Sequence, residues 1–217
     1  MLDNGTYNIV KKYKNNEIEL DPVQKDFVDL LNKKYNAKIL CYFYNYVIQN
    51  HEKRPRLDIV IERTKDYNKF LDENLYFKTQ IQNEIITEFK KLTVFNEIEN
   101  NKKIFVSFHD FEENAIIEAH RHIKDEDLKK IAESIDKENI WIIKKFFQGI
   151  TIFLYREKTI SLKTQNTILE LFKKQYFSKL KQYDEFNYCT SNSLNVKFDT
   201  KENFDKNYQG SWFYYFR

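Results

Sequence analysis

Three of the four histidines in the chain, His109, His120 and His122, fall in a segment that also carries Asp110, Glu112, Glu113 and Glu118. Imidazole and carboxylate together are the donor set of zinc and iron sites. If AIIEAHRHI (residues 115–123) is a strand, His120 and His122 project to one side and could share an ion. If it is a helix, the same side chains diverge by roughly 200° and the site fails. No third ligand is fixed by spacing, although His109 is available.

A second constellation lies on LDIVIER, where Asp58 and Glu62 share a strand face and Lys65 follows. A metal-dependent nuclease of the restriction-enzyme type needs an Asp on one strand and Glu-x-Lys on the next, and that pattern is missing. Acidic and basic residues along one solvated strand face account for the same letters. Nucleophilic catalysis has weaker support: there is no Gly-x-Ser-x-Gly elbow, and neither Cys41 nor Cys189 has a histidine near it in sequence. Gly5, Gly149 and Gly210 are isolated, so no phosphate-cradling loop can be assembled and no cofactor is called for.

Binding chemistry has more material. Aromatic residues make up 17% of the chain; part of that must be core, and tyrosine, with its polar end, also suits half-wet contact surfaces. Residues 136–217 carry a net +5 and the preceding part −2, for a total of +3. That excess, with the basic turn HEKRPR, is smaller than nucleic-acid domains usually concentrate, so nucleic acid is the less favoured ligand. The segment 110–127 is the acidic counterpart. Asp110, Glu112, Glu113 and Glu118, with Tyr214 as an aromatic anchor, form the candidate surface for a basic protein partner.

These residues must be positioned by a chain of 217 residues, 41% hydrophobic and 32% charged, long enough for a sizeable core and too apolar for disorder. No apolar run reaches the length of a membrane span, and the first residues do not read as a secretory signal. Two isolated cysteines in aromatic surroundings read as small buried hydrophobes, which favours a cytoplasmic location. The Lys-, Asn- and Ile-rich composition is that expected from a bacterium with an AT-rich genome.

The periodicity places a helix over DPVQKDFVDLLNKKY, residues 21–35, with Val23, Phe27, Leu30 and Leu31 as its apolar stripe, and strands at 37–48 and 57–63. A long helix is expected over 65–92, then a short strand at 104–108. After the ambiguous 109–123 segment, Asp125 opens a helix, and IWIIKKFF and ITIFLYR make a hairpin turning at Gln148-Gly149. A helix from Thr164 or Asn166, a strand at 194–198 and the aromatic SWFYYFR follow. Laid end to end, the halves repeat: Asp21, Phe27, Val28, Leu31 and Ile39 match Asp125, Ile131, Ala132, Ile135 and Ile143. IVIER matches IFLYR, and IFVSFHDFEEN matches LNVKFDTKEN. By this likeness AIIEAHRHI and SWFYYFR are both strands.

The expected fold is therefore α+β: one compact domain of two α-β-β-α-β-β halves, about 20–123 and 124–217, with an antiparallel or mixed sheet flanked by helices. Without a catalytic signature, the favoured class is a non-enzymatic protein-binding module. An immunity-type protein that neutralises a toxin fits the size and composition. The alternative is a metal-dependent or nucleic-acid-binding protein using the His120/His122 region.

Overall fold

In the computed structural model of the chain, residues 2–49, 52–92, 103–146, 149–156, 161–191 and 194–217 are described. The chain is α+β and divides into two compact units, Met1–Asn114 and Ala115–Arg217. Each contains a mixed three-stranded sheet with its own apolar core.

In the first unit, α1 (Asn4–Lys14) is opened by Asp3, whose carboxylate accepts from the Thr6 N–H. Asp21 and Pro22 start α2 (Pro22–Tyr35) as expected of a capping residue followed by proline. The left-handed Asn36 ends it, and the Asn32 side chain takes the Ile39 N–H at 2.6 Å, which delivers the chain directly into β1 (Ile39–Gln49). That strand pairs antiparallel with β2 (Glu52–Ile61). The expected long helix is broken. α3 (Thr64–Tyr67) and a 3-10 turn (Asn68–Phe70) give way to a loop before α4 (Thr79–Phe89). The cause is Asp72, whose carboxylate accepts from the N–H groups of Asn74 and Tyr76 and so competes with helical pairing, while Leu75 adopts a φ of 63°. The polar loop before the next strand lies almost wholly outside the described residues. β3 (Phe105–Asp110) then pairs parallel to β2, from Arg56 to Ile61. Leu57, Ile59, Ile61, Val106 and Phe108 face α2 and α4 across a core that includes Phe27, Leu31, Phe70, Ile85 and Phe89. On the opposite side of the sheet, Lys14 of α1 ion-pairs Glu62 and Tyr7 stacks on Phe111.

Residues 111–122 correct the strand expectation. They form α5 (Phe111–His122), which begins in the first unit and ends in the second. Asp110 accepts from the Glu113 N–H at its start, and the buried Ala115, Ala119 and Ile123 recur every four residues, a helical rather than a strand period.

The second unit continues with α6 (Asp125–Asp136), capped at Lys124 rather than Asp125, then β4 (Ile140–Phe146) and β5 (Gly149–Leu154). The turn expected at Gln148-Gly149 lies partly outside the described residues. α7 (Leu162–Leu180) starts from Ser161, two or more residues before the expected Thr164 or Asn166, and β6 (Asn195–Thr200) leads into α8 (Lys201–Tyr208). SWFYYFR is helical too, as α9 (Trp212–Tyr215), after a reversal through Gln209 and Gly210, both at positive φ. Ile143, Ile150, Ile152 and Leu154 pack against Ile168, Phe172, Tyr176 and Leu180 of α7 and Leu128, Ile131 and Ala132 of α6.

The two sheets share strand order and pairing sense: antiparallel, then parallel. Both have a one-residue bulge on the first rung of the hairpin, between Ile39 and Cys41 and between Ile140 and Ile142. Asp110 and Thr200 occupy the same position at the end of the third strand, opposite Ile61 and Leu154, and each caps the helix that follows. In this register Ile39 corresponds to Ile140, not to Ile143 as the sequence comparison has it.

Candidate functional site

The densest group of chemically active side chains lies on β2 and β3, on the face turned away from the first unit's aliphatic core. Asp58 and Ser107 are direct partners in the parallel ladder, and His109 is two residues on, so strand alternation puts all three on one side. Asp58 Oδ1 accepts from Ser107 Oγ and from His109 Nε2 at 2.9 Å. Its Oδ2 accepts from Arg56 through Nε at 2.8 Å and Nη2 at 2.7 Å. Burial would raise the Asp58 carboxyl, but the donors from His109, Ser107 and Arg56 outweigh it and hold it below the usual carboxylate range. His109 Nδ1 is buried without a hydrogen-bond partner among the described residues.

Serine, histidine and aspartate in contact invite comparison with a hydrolase relay, but the order is wrong for one. A relay needs the imidazole between hydroxyl and carboxylate, so that the ring removes the hydroxyl proton. Here the carboxylate is in the middle. Ser107 donates to Asp58, and the only ring nitrogen near its oxygen, Nε2 at 3.4 Å, already bonds the same carboxylate oxygen. The group is a charge-compensated polar knot that ties β3 to β2. Glu62, just past the end of β2 and in phase with Asp58, ion-pairs Lys14 at 2.8 Å and Lys38 at 2.6 Å. Asp58 and Glu62 do share a face, as read from sequence, but cations neutralise both.

The remaining candidates are dispersed. His120 is buried, with Nδ1 2.7 Å from the Tyr176 hydroxyl, and burial, reinforced by the Lys145 ammonium, lowers its pKa to about 4. Lys145 also donates to the carbonyls of His120 and Ile123, closing the C-terminal end of α5. His122 is on the exposed side of the same helix, stacked on Tyr183 and 3.6 Å from Glu118. The two histidines therefore do not share a face. No three His, Cys, Asp or Glu side chains gather as a metal site among the described residues.

The acidic segment does not form a single stripe. Asp110 is buried and accepts from Thr64 Oγ1 and the Glu113 N–H. Glu112 holds the Thr64 N–H and Arg63. Glu113 is exposed, and Glu118 pairs with Arg121. Both thiols are buried, and burial pushes Cys41 and Cys189 up to about 12, so neither is a thiolate at neutral pH.

What sequence reasoning missed is an aromatic layer in the second unit. Trp141, Trp212, Phe216 and Phe146 stack in succession, with interplanar angles of 14°, 21° and 15°. This column fixes α9 against the face of β4 and β5 that points away from the aliphatic core, where Phe153 and Phe204 also meet Trp212. Tyr215 donates its hydroxyl to Asp199 at 2.6 Å. Clamped in this way, α9 holds Phe213 69% and Tyr214 51% exposed, with the Arg217 guanidinium over the Phe213 ring. Arg217 and Lys197, which lies over Tyr215, have no carboxylate partner among the described residues. The available signal was the aromatic content of SWFYYFR itself, read as strand because large aromatic residues favour strands.

Comparison with models of known families, with characterised proteins and with solved structures returns no match for this chain. No helix among the described residues is long and apolar enough to cross a membrane.

Proposed function

We propose that this chain is a non-enzymatic protein-binding module that engages its partner through the C-terminal aromatic surface, with Tyr214 and Phe213 as anchors. The observation that carries the reading is the exposure of two adjacent large aromatic side chains on a helix held rigidly by the ring column beneath it. Aromatic anchors with few rotatable bonds are what interface hot spots are made of. The internal pairing of Asp58, Glu62, Asp110 and His120 supports the same reading, because it leaves these groups poorly placed for chemistry on a substrate. Within this class an immunity-type role, neutralising a toxin domain, remains our working identity.

The test is co-purification from native lysate with the wild-type chain and with Phe213→Ala/Tyr214→Ala. The expected result is a stoichiometric protein that the double variant loses while keeping its near-UV circular dichroism. Identical partners for both chains would count against the surface. Tightly bound metal without any partner would favour the enzymatic alternative. A toxin domain as the captured protein would establish the immunity role.

A further inference from the structure

Beside the second sheet lies a cleft of about 610 Å³, within the size range of ligand sites. Its walls are one flank of α6 and residues 140–144 of β4. Tyr155, whose N–H bonds the Asn139 carbonyl, stands at the Ile140 end. β4 is the terminal strand of its sheet. Ile140 and Ile143 belong to the aliphatic core, whereas Trp141 and Lys144 meet Trp212 on the opposite face. A cleft that touches both sets in succession follows neither face of the sheet. It runs along the edge of the strand, where alternate residues turn main-chain N–H and C=O groups away from the paired strand. Lysines commonly guard such an edge, but here they are drawn off it: Lys144 ends on Asp125, and Lys145 on the carbonyls of His120 and Ile123.

We propose that this cleft binds an extended segment of a partner protein, which joins the sheet as a strand antiparallel to β4, the more stable pairing sense. The wall selects the class of ligand. A strand edge offers a row of main-chain groups that an extended backbone matches and a compact small molecule does not. The charges select the segment. Of the charged side chains lining the cleft, Lys144 pairs with Asp125 at 2.7 Å, and Lys129 lies 4.0 Å from Glu133. Glu126 and Lys137 remain, with no ion pair among the described residues. The Lys144–Asp125 contact fixes the sense of α6, which runs antiparallel to β4 with Glu126 at the Lys144 end and Lys137 at the Ile140 end. At 1.5 Å per residue those two charges are about 16 Å apart along the helix, a span that an extended chain covers in about five residues. A segment antiparallel to β4 enters beside Glu126 and leaves beside Lys137. The complementary segment therefore has a basic residue first, an acidic residue last and uncharged residues between them.

Panning a phage-displayed library of random linear peptides against the full chain tests the proposal. The expected peptides carry a basic residue followed, about five positions on, by an acidic one. A synthetic copy of the leading peptide should shift the amide resonances of residues 140–144. The double variant Glu126→Lys/Lys137→Glu should bind that peptide roughly tenfold more weakly and should itself select the reverse order, acidic before basic. Glu126→Gln/Lys137→Gln, which places no like charge against either end of the α6 dipole, should select peptides without charge order. A library that yields no peptide overturns the proposal, as do peptides that bind both double variants as tightly as the wild type. Resonance shifts centred on Phe213 and Tyr214 instead of β4 also overturn it. The cleft is lined by neither of those two side chains, so failure here leaves the partner-binding reading of α9 untouched.

Discussion

His120 makes the stability of this protein sensitive to mild acid in a way that one substitution can isolate. Burial first, and the Lys145 ammonium second, lower its pKa from 6.5 to about 4 in the folded chain. Above pH 6.5 the imidazole is neutral in both folded and unfolded states and contributes no pH dependence. Below that, the unfolded chain takes up a proton that the folded chain refuses, so stability falls with pH and levels off only below the folded value near 4. At about 1.4 kcal/mol per pH unit, the loss from this one group between roughly pH 7.5 and 4.5 is about 2.5 kcal/mol. Carboxylates also lose stabilising partners in that range, so the useful quantity is a difference between two chains. His120→Asn keeps a polar group near the Tyr176 hydroxyl and removes the titration. Urea unfolding at the two pH values should show the wild type losing about 2.5 kcal/mol more than the variant, from whatever starting stability each has. Parallel losses would refute the reasoning. So would a His120 ring-proton resonance that titrates near 6.5.

Trp212→Ala removes a half-buried ring that touches Trp141, Phe153, Phe204 and Phe216, and should cost about 3 kcal/mol in chemical unfolding; a change within about 0.5 kcal/mol would mean that the ring column does not hold α9. Asp58→Ala strands Arg56, His109 and Ser107 without their shared acceptor and should destabilise by about 3 kcal/mol, whereas Ser107→Ala should cost only about 1 kcal/mol. Equal losses for the two variants would contradict a knot centred on the carboxylate. Thr200→Ala should cost about 1 kcal/mol through the lost cap of α8, and Thr200→Ser should restore it; a neutral Thr200→Ala would show that the Asn203 N–H finds another acceptor.

The hairpin strands were readable because their residues are β-branched and aromatic, and the start of α2 because aspartate and proline stand in capping order. The breaks were not. Phe70, Leu71, Leu75, Ile81 and Ile85 are spaced well enough for one helix, and only the reach of the Asp72 carboxylate to two backbone N–H groups stops it. AIIEAHRHI reads equally well at a period of two or of four, and the packing of Ala115, Ala119 and Ile123 decides. α1 has only Tyr7 and Val10 to bury, too few for a periodic signal. The Asp58 knot was invisible for a different reason. Its members come from strands separated by about fifty residues of sequence, and their contact depends on a parallel ladder that short-range patterns do not encode.

The bulge shared by the two sheets acts as a phase step in each strand. Before Leu40 the core side is reached at Ile39, and after it at Tyr42 and Tyr44, so the inward residues are three apart where a regular strand would space them by two. Ile140 and Ile143 repeat the arrangement around Trp141 and Ile142. Deleting Leu40 would therefore act unlike the loss of any other residue of the strand. It would bring Ile39 and Tyr42 to the regular spacing of two, so that the strand loses its bulge and still sends Ile39, Tyr42 and Tyr44 to the core side. Read without that step, the alternation in either first strand points its side chains to the wrong side.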